Sequence, residues 1–125
     1  MQVKSYKFNT NDINLYPIGD IHIGDKAFTE ASKAKLMGYI KHIQSNPNAY
    51  CFLMGDLINC ANIGSKSSVF KQDMDLNDQI KECVKLLNPI KHKILGAITG
   101  NHEQRLEHYT GYNPTISICD KLGIH

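Results

Sequence analysis

Ala49-Tyr50-Cys51-Phe52-Leu53-Met54-Gly55-Asp56 is the stretch on which the fold turns. Ala49–Met54 is a short unbroken apolar run, as expected of a strand covered on both faces. Gly55-Asp56 then ends it with a turn-forming pair. Working outward, the same order recurs on either side. Ile13–Ile18 leads into Gly19-Asp20-Ile21-His22-Ile23-Gly24, and Lys93–Thr99 leads into Gly100-Asn101-His102-Glu103. Each is an apolar strand followed by a glycine and a polar group.

The segments between these strands carry helical periodicity. Thr29–Gln44 reads as a helix capped by Thr29, with Leu36, Ile40 and Ile43 on one face, and Asn46-Pro47-Asn48 ends it. Asp75–Leu87 reads as another, with Leu76, Ile80, Val84 and Leu87 aligned and Asn88-Pro89 as the stop. Glu103–His108 and Thr115–Lys121 read as short closing helices. Gln2–Phe8 reads as an additional strand, paired with Ile13–Ile18 in a hairpin around Asn9-Thr10-Asn11-Asp12. Cys60–Asp73, rich in Ser, Lys and Gly, reads as a long loop of the functional kind. The order β-β-α-β-α-β-α implies parallel crossovers, hence one α/β layered domain over residues 1–125. Pro17 conflicts with a central strand, where a missing N–H is costly, and is expected near that strand's end.

Composition sets outer limits. With 42% hydrophobic and 21% charged residues the chain is ordinary globular material. A net charge of +2 gives no ground for a dedicated nucleic-acid binder. Helix lysines such as Lys33, Lys35, Lys41, Lys81 and Lys85 read as a solvated face. The N-terminal residues lack the apolar core of a signal peptide, and no run is long enough to span a membrane. Cys51, Cys60, Cys83 and Cys119 have no paired spacing, so reduced thiols and a cytoplasmic location are expected.

The three polar clusters are the chemically informative part. In open α/β sheets, sites form at the carboxyl ends of strands, so clusters following three parallel strands should converge. Asp and Asn offer oxygen and His offers nitrogen, a donor set for hard or borderline divalent metals. Asp20 and His22 are two apart, which on a regular strand turns both to one side. Asp56 and Asn101 should reach the same crevice from neighbouring strand ends.

In combination these clusters resemble the signature of the calcineurin-like metallophosphoesterases: Asp-x-His-x-Gly, then Gly-Asp-x-x-Asn, then Gly-Asn-His-Glu. Lys85-Leu86-Leu87-Asn88-Pro89-Ile90-Lys91 and Ile118-Cys119-Asp120-Lys121-Leu122-Gly123-Ile124 are similar to bacterial and phage members. The resemblance implies a layered α/β sandwich and metal-dependent hydrolysis of phosphate mono- or diesters. It implies two divalent ions, drawn from Mn, Fe, Zn, Ni or Co. By that resemblance Asp20 and His22 bind the first ion, Asp56 bridges both, and Asn101 binds the second. His102 faces the leaving group as acid or electrostatic stabiliser. Apart from the resemblance, the Cys60–Asp73 loop carries Lys66 and Lys71 beside the metal crevice, so Lys66, with Arg105, is expected to contact the substrate phosphate. Nucleic acid is the substrate if the enzyme is a nuclease.

Full members of the family carry one further histidine and a Gly-His-x-His segment, neither of which occurs here. The chain is therefore expected to be the N-terminal half of such a domain, weak or inactive alone. It would form a homodimer or require the missing C-terminal half. The alternative is a half-domain that binds metal or a partner without turnover. His42, His92, His108 and His125 do not stand in for the absent ligands. Other motifs fail: position 106 is Leu, so no HExxH zinc motif forms, and Gly64-Ser65-Lys66-Ser67 is not a P-loop.

Overall fold

The computed structural model describes residues 2–60 and 75–124. Three strands, β1 (Asn14–Ile18), β2 (Ala49–Leu53) and β3 (Ile94–Ala97), form a parallel sheet in the order β1-β2-β3. Helices α1 (Glu30–Ser45) and α2 (Leu76–Leu87) occupy the intervals between them, a 3₁₀ turn (Asn88–Lys93) joins α2 to β3, and α3 (Asn101–Thr110) and α4 (Pro114–Leu122) follow.

Three of the four helices, α1, α2 and α4, start where the local sequence supplies an acceptor. Thr29 accepts the Ser32 N–H at 3.2 Å, Asp75 accepts that of Asp78 at 2.8 Å, and Asn113 accepts that of Thr115 at 2.9 Å. The C-terminus of α1 is satisfied differently. Lys93 is buried, and its ammonium donates to the carbonyl of Ile43 at 2.9 Å and to that of Asn46. A cation at the carbonyl end of a helix also meets its dipole favourably.

Along β2 burial alternates: Ala49, Cys51 and Leu53 are fully buried, Tyr50 and Phe52 only partly. The buried row packs with Ile40 and Ile43 of α1, Ile80, Cys83 and Leu87 of α2, and Ile118 and Leu122 of α4 in one core. The helices therefore cover one face, and the expectation of a strand buried equally on both faces is corrected. On the other face Leu15, Met54 and Ile98 are about half exposed, at 52%, 47% and 50%.

Two further expectations change. Gln2–Phe8 is not a strand, so the hairpin is absent and the order among the described residues is β-α-β-α-β-α-α. The aromatic side chains of that segment cover the sheet instead of pairing with it. The Phe8 ring lies 4.7 Å from that of Tyr50, and the Tyr6 hydroxyl donates to the Leu95 carbonyl. β1, in turn, is an edge strand rather than a central one among the described residues. Pro17 sits opposite Phe52 in that edge, where a missing N–H need not break the ladder. Of the Cys60–Asp73 loop only Cys60 belongs to the described residues; Lys66 and Lys71 lie outside them, as does His125.

All four cysteines are unpaired. Burial pushes the Cys51 thiol up to about 11 and that of Cys83 up to about 12. Cys60 is raised further, first by burial and then by the Glu103 and Asp56 carboxylates. At pH 8 these three should hold almost no thiolate, the reactive form. Half-buried Cys119 is thus expected to react first with a disulfide reagent. The other three should react only on unfolding, and faster as pH rises from 8 to 10. Rapid labelling of all four in the folded chain at pH 8 would contradict this burial.

Candidate metal centre

The polar clusters meet at the carboxyl ends of the three strands, and the contact is backbone to backbone. Gly55 has a φ of +85°, and a Cβ there would lie 2.5 Å from the Gly100 nitrogen. A Cβ on Gly100 would lie 2.2 Å from the Asp56 nitrogen. Only glycine at both positions allows the loop after β2 to touch the start of α3.

Between β1 and β2 the ladder continues past the strands. Asp20 N–H donates to Gly55 O at 3.1 Å, His22 N–H to Asp56 O at 3.1 Å, and Ile23 N–H to Leu57 O at 3.0 Å. Asn59 N–H returns a bond to Ile23 O at 2.9 Å. Asp20, His22 and Asp56 hold left-handed backbone, with φ of 52°, 55° and 50°. Such conformations cost of order 1–3 kcal/mol per non-glycine residue and gather at functional sites. Asp20 and His22 do converge, but through these turns rather than through the strand alternation expected of them.

Ligand atoms of Asp20, His22 and Asp56 all lie within 4.8 Å of one another. His22 Nε2 is 3.7 Å from Asp20 Oδ1. At bond lengths of about 2.0–2.2 Å, ligand atoms around one cation are roughly 3.0–3.5 Å apart. Small side-chain rotations of Asp20, which is 87% exposed at the side chain, close that difference. The donor set, two carboxylates and an imidazole, is oxygen and nitrogen only. The residues present fit a divalent cation.

His102 enters the site twice. Its backbone N–H donates to Asp56 Oδ1 at 2.9 Å, so that oxygen caps the first turn of α3 and the carboxylate is held in place. Its ring Nδ1 is 2.6 Å from the Asn59 carbonyl. A carbonyl can only accept, so Nδ1 carries the proton and Nε2 is left for chemistry. The ring packs edge-on against His22 with centroids 4.5 Å apart. Asn101 is exposed at the first position of α3, next to Gly100. Arg105 is half-buried on the same helix and forms no ion pair with the cluster among the described residues. Lys66 lies outside the described residues.

Two anchoring residues were not assigned roles from the sequence. Glu103 is fully buried, and its Oε2 accepts from Asp56 N at 3.0 Å and Gly100 N at 3.1 Å. Its Oε1 accepts from Leu57 N at 2.9 Å and, more weakly, Ile58 N at 3.5 Å. The available signal was its place in the third helical position after Gly100, where a carboxylate reaches back to the cap. Gln79, fully buried on α2, accepts from Cys60 N at 3.1 Å, and nothing in its local sequence announces that.

A family model described as calcineurin-like phosphoesterase matches residues 14–122, most of the chain. No curated protein and no solved structure matches. Among the described residues, no helix is long and apolar enough to cross a membrane.

Proposed function

The chain belongs to the calcineurin-like phosphoesterase family, and on that premise we propose that it hydrolyses phosphate esters with two divalent cations, one of them held by Asp20, His22 and Asp56. The observation that carries this reading is the convergence of those three side chains on left-handed backbone at the ends of adjacent strands. When bound, such a pair of cations neutralises phosphoryl oxygens and acidifies water for in-line attack.

The chain's own residues have separable tasks in this reading. Asp56 has one oxygen on the α3 amide and its remaining lone pairs available to bridge. Asn101 completes the second ion's protein ligands. His102, its Nδ1–H held by the Asn59 carbonyl, acts in its imidazolium form: Nε2 passes its proton to the departing alkoxide and the ring is left as the neutral Nδ1–H tautomer. Arg105 and Lys66 contact phosphate oxygens. The Asp-His-Asp set is compact, whereas Asp56 and Asn101 alone serve the second ion. One ion is therefore held much more tightly than the other, and further donors from elsewhere in the assembled enzyme complete the weaker shell. The four free thiols are in keeping with a cytoplasmic location.

Calorimetric titration with Mn²⁺ or Zn²⁺ tests the proposal. One tight and one weak site are expected, with feeble or no hydrolysis of a generic phosphodiester by this chain alone as metal is added. Asp56→Ala should weaken the tight site by at least about tenfold, the low end even for outer partners of a metal ligand. Unchanged affinity in that variant would remove the metal reading. Two equally tight sites would contradict the ligand assignment. Tight binding without turnover even in a version of the protein that carries the C-terminal half would favour the non-catalytic alternative.

A further inference from the structure

A cavity of about 660 Å³ opens beside the metal cluster, and Asp20 and His22 line it together with residues of β1 and α1. That volume lies within the range of small-molecule sites, about 300–1,000 Å³. Tyr16, Phe28, Leu36 and Tyr39 give it a largely aromatic and apolar wall. The Tyr16 hydroxyl is already engaged, 3.0 Å from His42 Nε2, so the tyrosine offers the groove its ring. The Asp25 carboxylate is turned to its own loop, accepting the Ala27 N–H at 2.8 Å. Lys35 remains as a cation among the lining residues.

We propose that this groove is a subsite for the alcohol portion of the ester, and that it selects esters in which that portion is a planar aromatic group. The inference rests on the reading that phosphate binds at the Asp-His-Asp cluster. Because Asp20 and His22 belong to both, a phosphate held there has the groove open to its substituent, while the His102 ring, 4.5 Å from that of His22, stays beside the ester oxygen. A ring laid against Tyr39, Phe28 and Leu36 gains from lost apolar surface and from offset or edge-on aromatic contacts. A sugar or short polyol in the same place would be stripped of water against that wall, which is unfavourable. Tyr39, 55% exposed on α1, supplies ring contact without being part of the core.

Binding of phenylphosphonate and methylphosphonate to the full chain loaded with Mn²⁺ separates the outcomes. Phenylphosphonate should bind at least about tenfold more tightly, as burial of one ring provides. Tyr39→Ala should cut that ratio to about twofold without changing affinity for Mn²⁺ or methylphosphonate, and Tyr39→Phe should preserve it. Equal affinity for the two phosphonates in the parent chain would overturn the subsite and leave the metal reading standing. Failure of both to bind the Mn²⁺-loaded chain would overturn the phosphate reading and the subsite with it. An unchanged ratio in Tyr39→Ala, accompanied by a lower mass in light scattering, would assign the groove to a polypeptide contact and overturn the subsite.

Discussion

Glu103→Ala is expected to lower the free energy of unfolding by about 3–5 kcal/mol, a large part of the roughly 5–15 kcal/mol available to a domain. The side chain is fully buried and accepts from Asp56, Leu57 and Gly100 at 2.9–3.1 Å. Alanine leaves these amides without acceptors, at about 1–3 kcal/mol each before any water enters the space. The carboxylate is tolerated there because four backbone N–H groups and the start of α3 face it. Glu103→Gln should cost less but not be neutral, since its amide turns a donor toward donors. The chain has no tryptophan, so far-ultraviolet circular dichroism in urea is the suitable probe. Midpoints for both variants close to that of the parent would show that the loops hold without this anchor.

In a complete version of the protein, one that carries the C-terminal half, His102→Ala is expected to lower turnover by roughly 10²–10⁴ while metal content stays near that of the parent, the range for loss of a positioned acid. The separation follows from geometry. His102 touches Asp56 through its backbone amide, which alanine retains, and reaches the reaction through its ring, which alanine removes. Asp56→Ala, by contrast, should lose metal and turnover together. Metal content is measured on each purified variant and turnover on one phosphate ester. If His102→Ala strips metal as thoroughly as Asp56→Ala, His102 is a ligand and not an acid.

Much of this arrangement was legible before any coordinates. Apolar runs ended by glycine gave β1, β2 and β3 to within a few residues, and local acceptors at Thr29 and Asp75 marked the helix starts. These features depend on neighbours in sequence. The errors came where distant residues decide. Gln2–Phe8 has the composition of a strand, yet its aromatic side chains found Tyr50 and Leu95 on the sheet face. Pro17 looked misplaced until β1 proved to be an edge. The spacing of Asp20 and His22 suits a strand, but their backbone is set by hydrogen bonds to residues 55 and 56, which no local pattern reveals. Glu103 and Gln79 are anchors only because two loops happen to end beside them.

The ladder that runs on beyond β1 and β2 also bears on how fast a cation can be captured. Loops that must fold around an ion reorganise on nanosecond to microsecond scales, and lids more slowly still. Here the peptide units of Asp20, His22 and Asp56 are already bonded across the two loops. With the Asp56 carboxylate held by the His102 amide, what remains free is chiefly torsion about the side-chain bonds of exposed Asp20, and exposed rotamers hop in picoseconds to nanoseconds. Loading of a cation would thus be limited by its arrival and loss of hydration water, with no slow backbone closure among the described residues of these two loops.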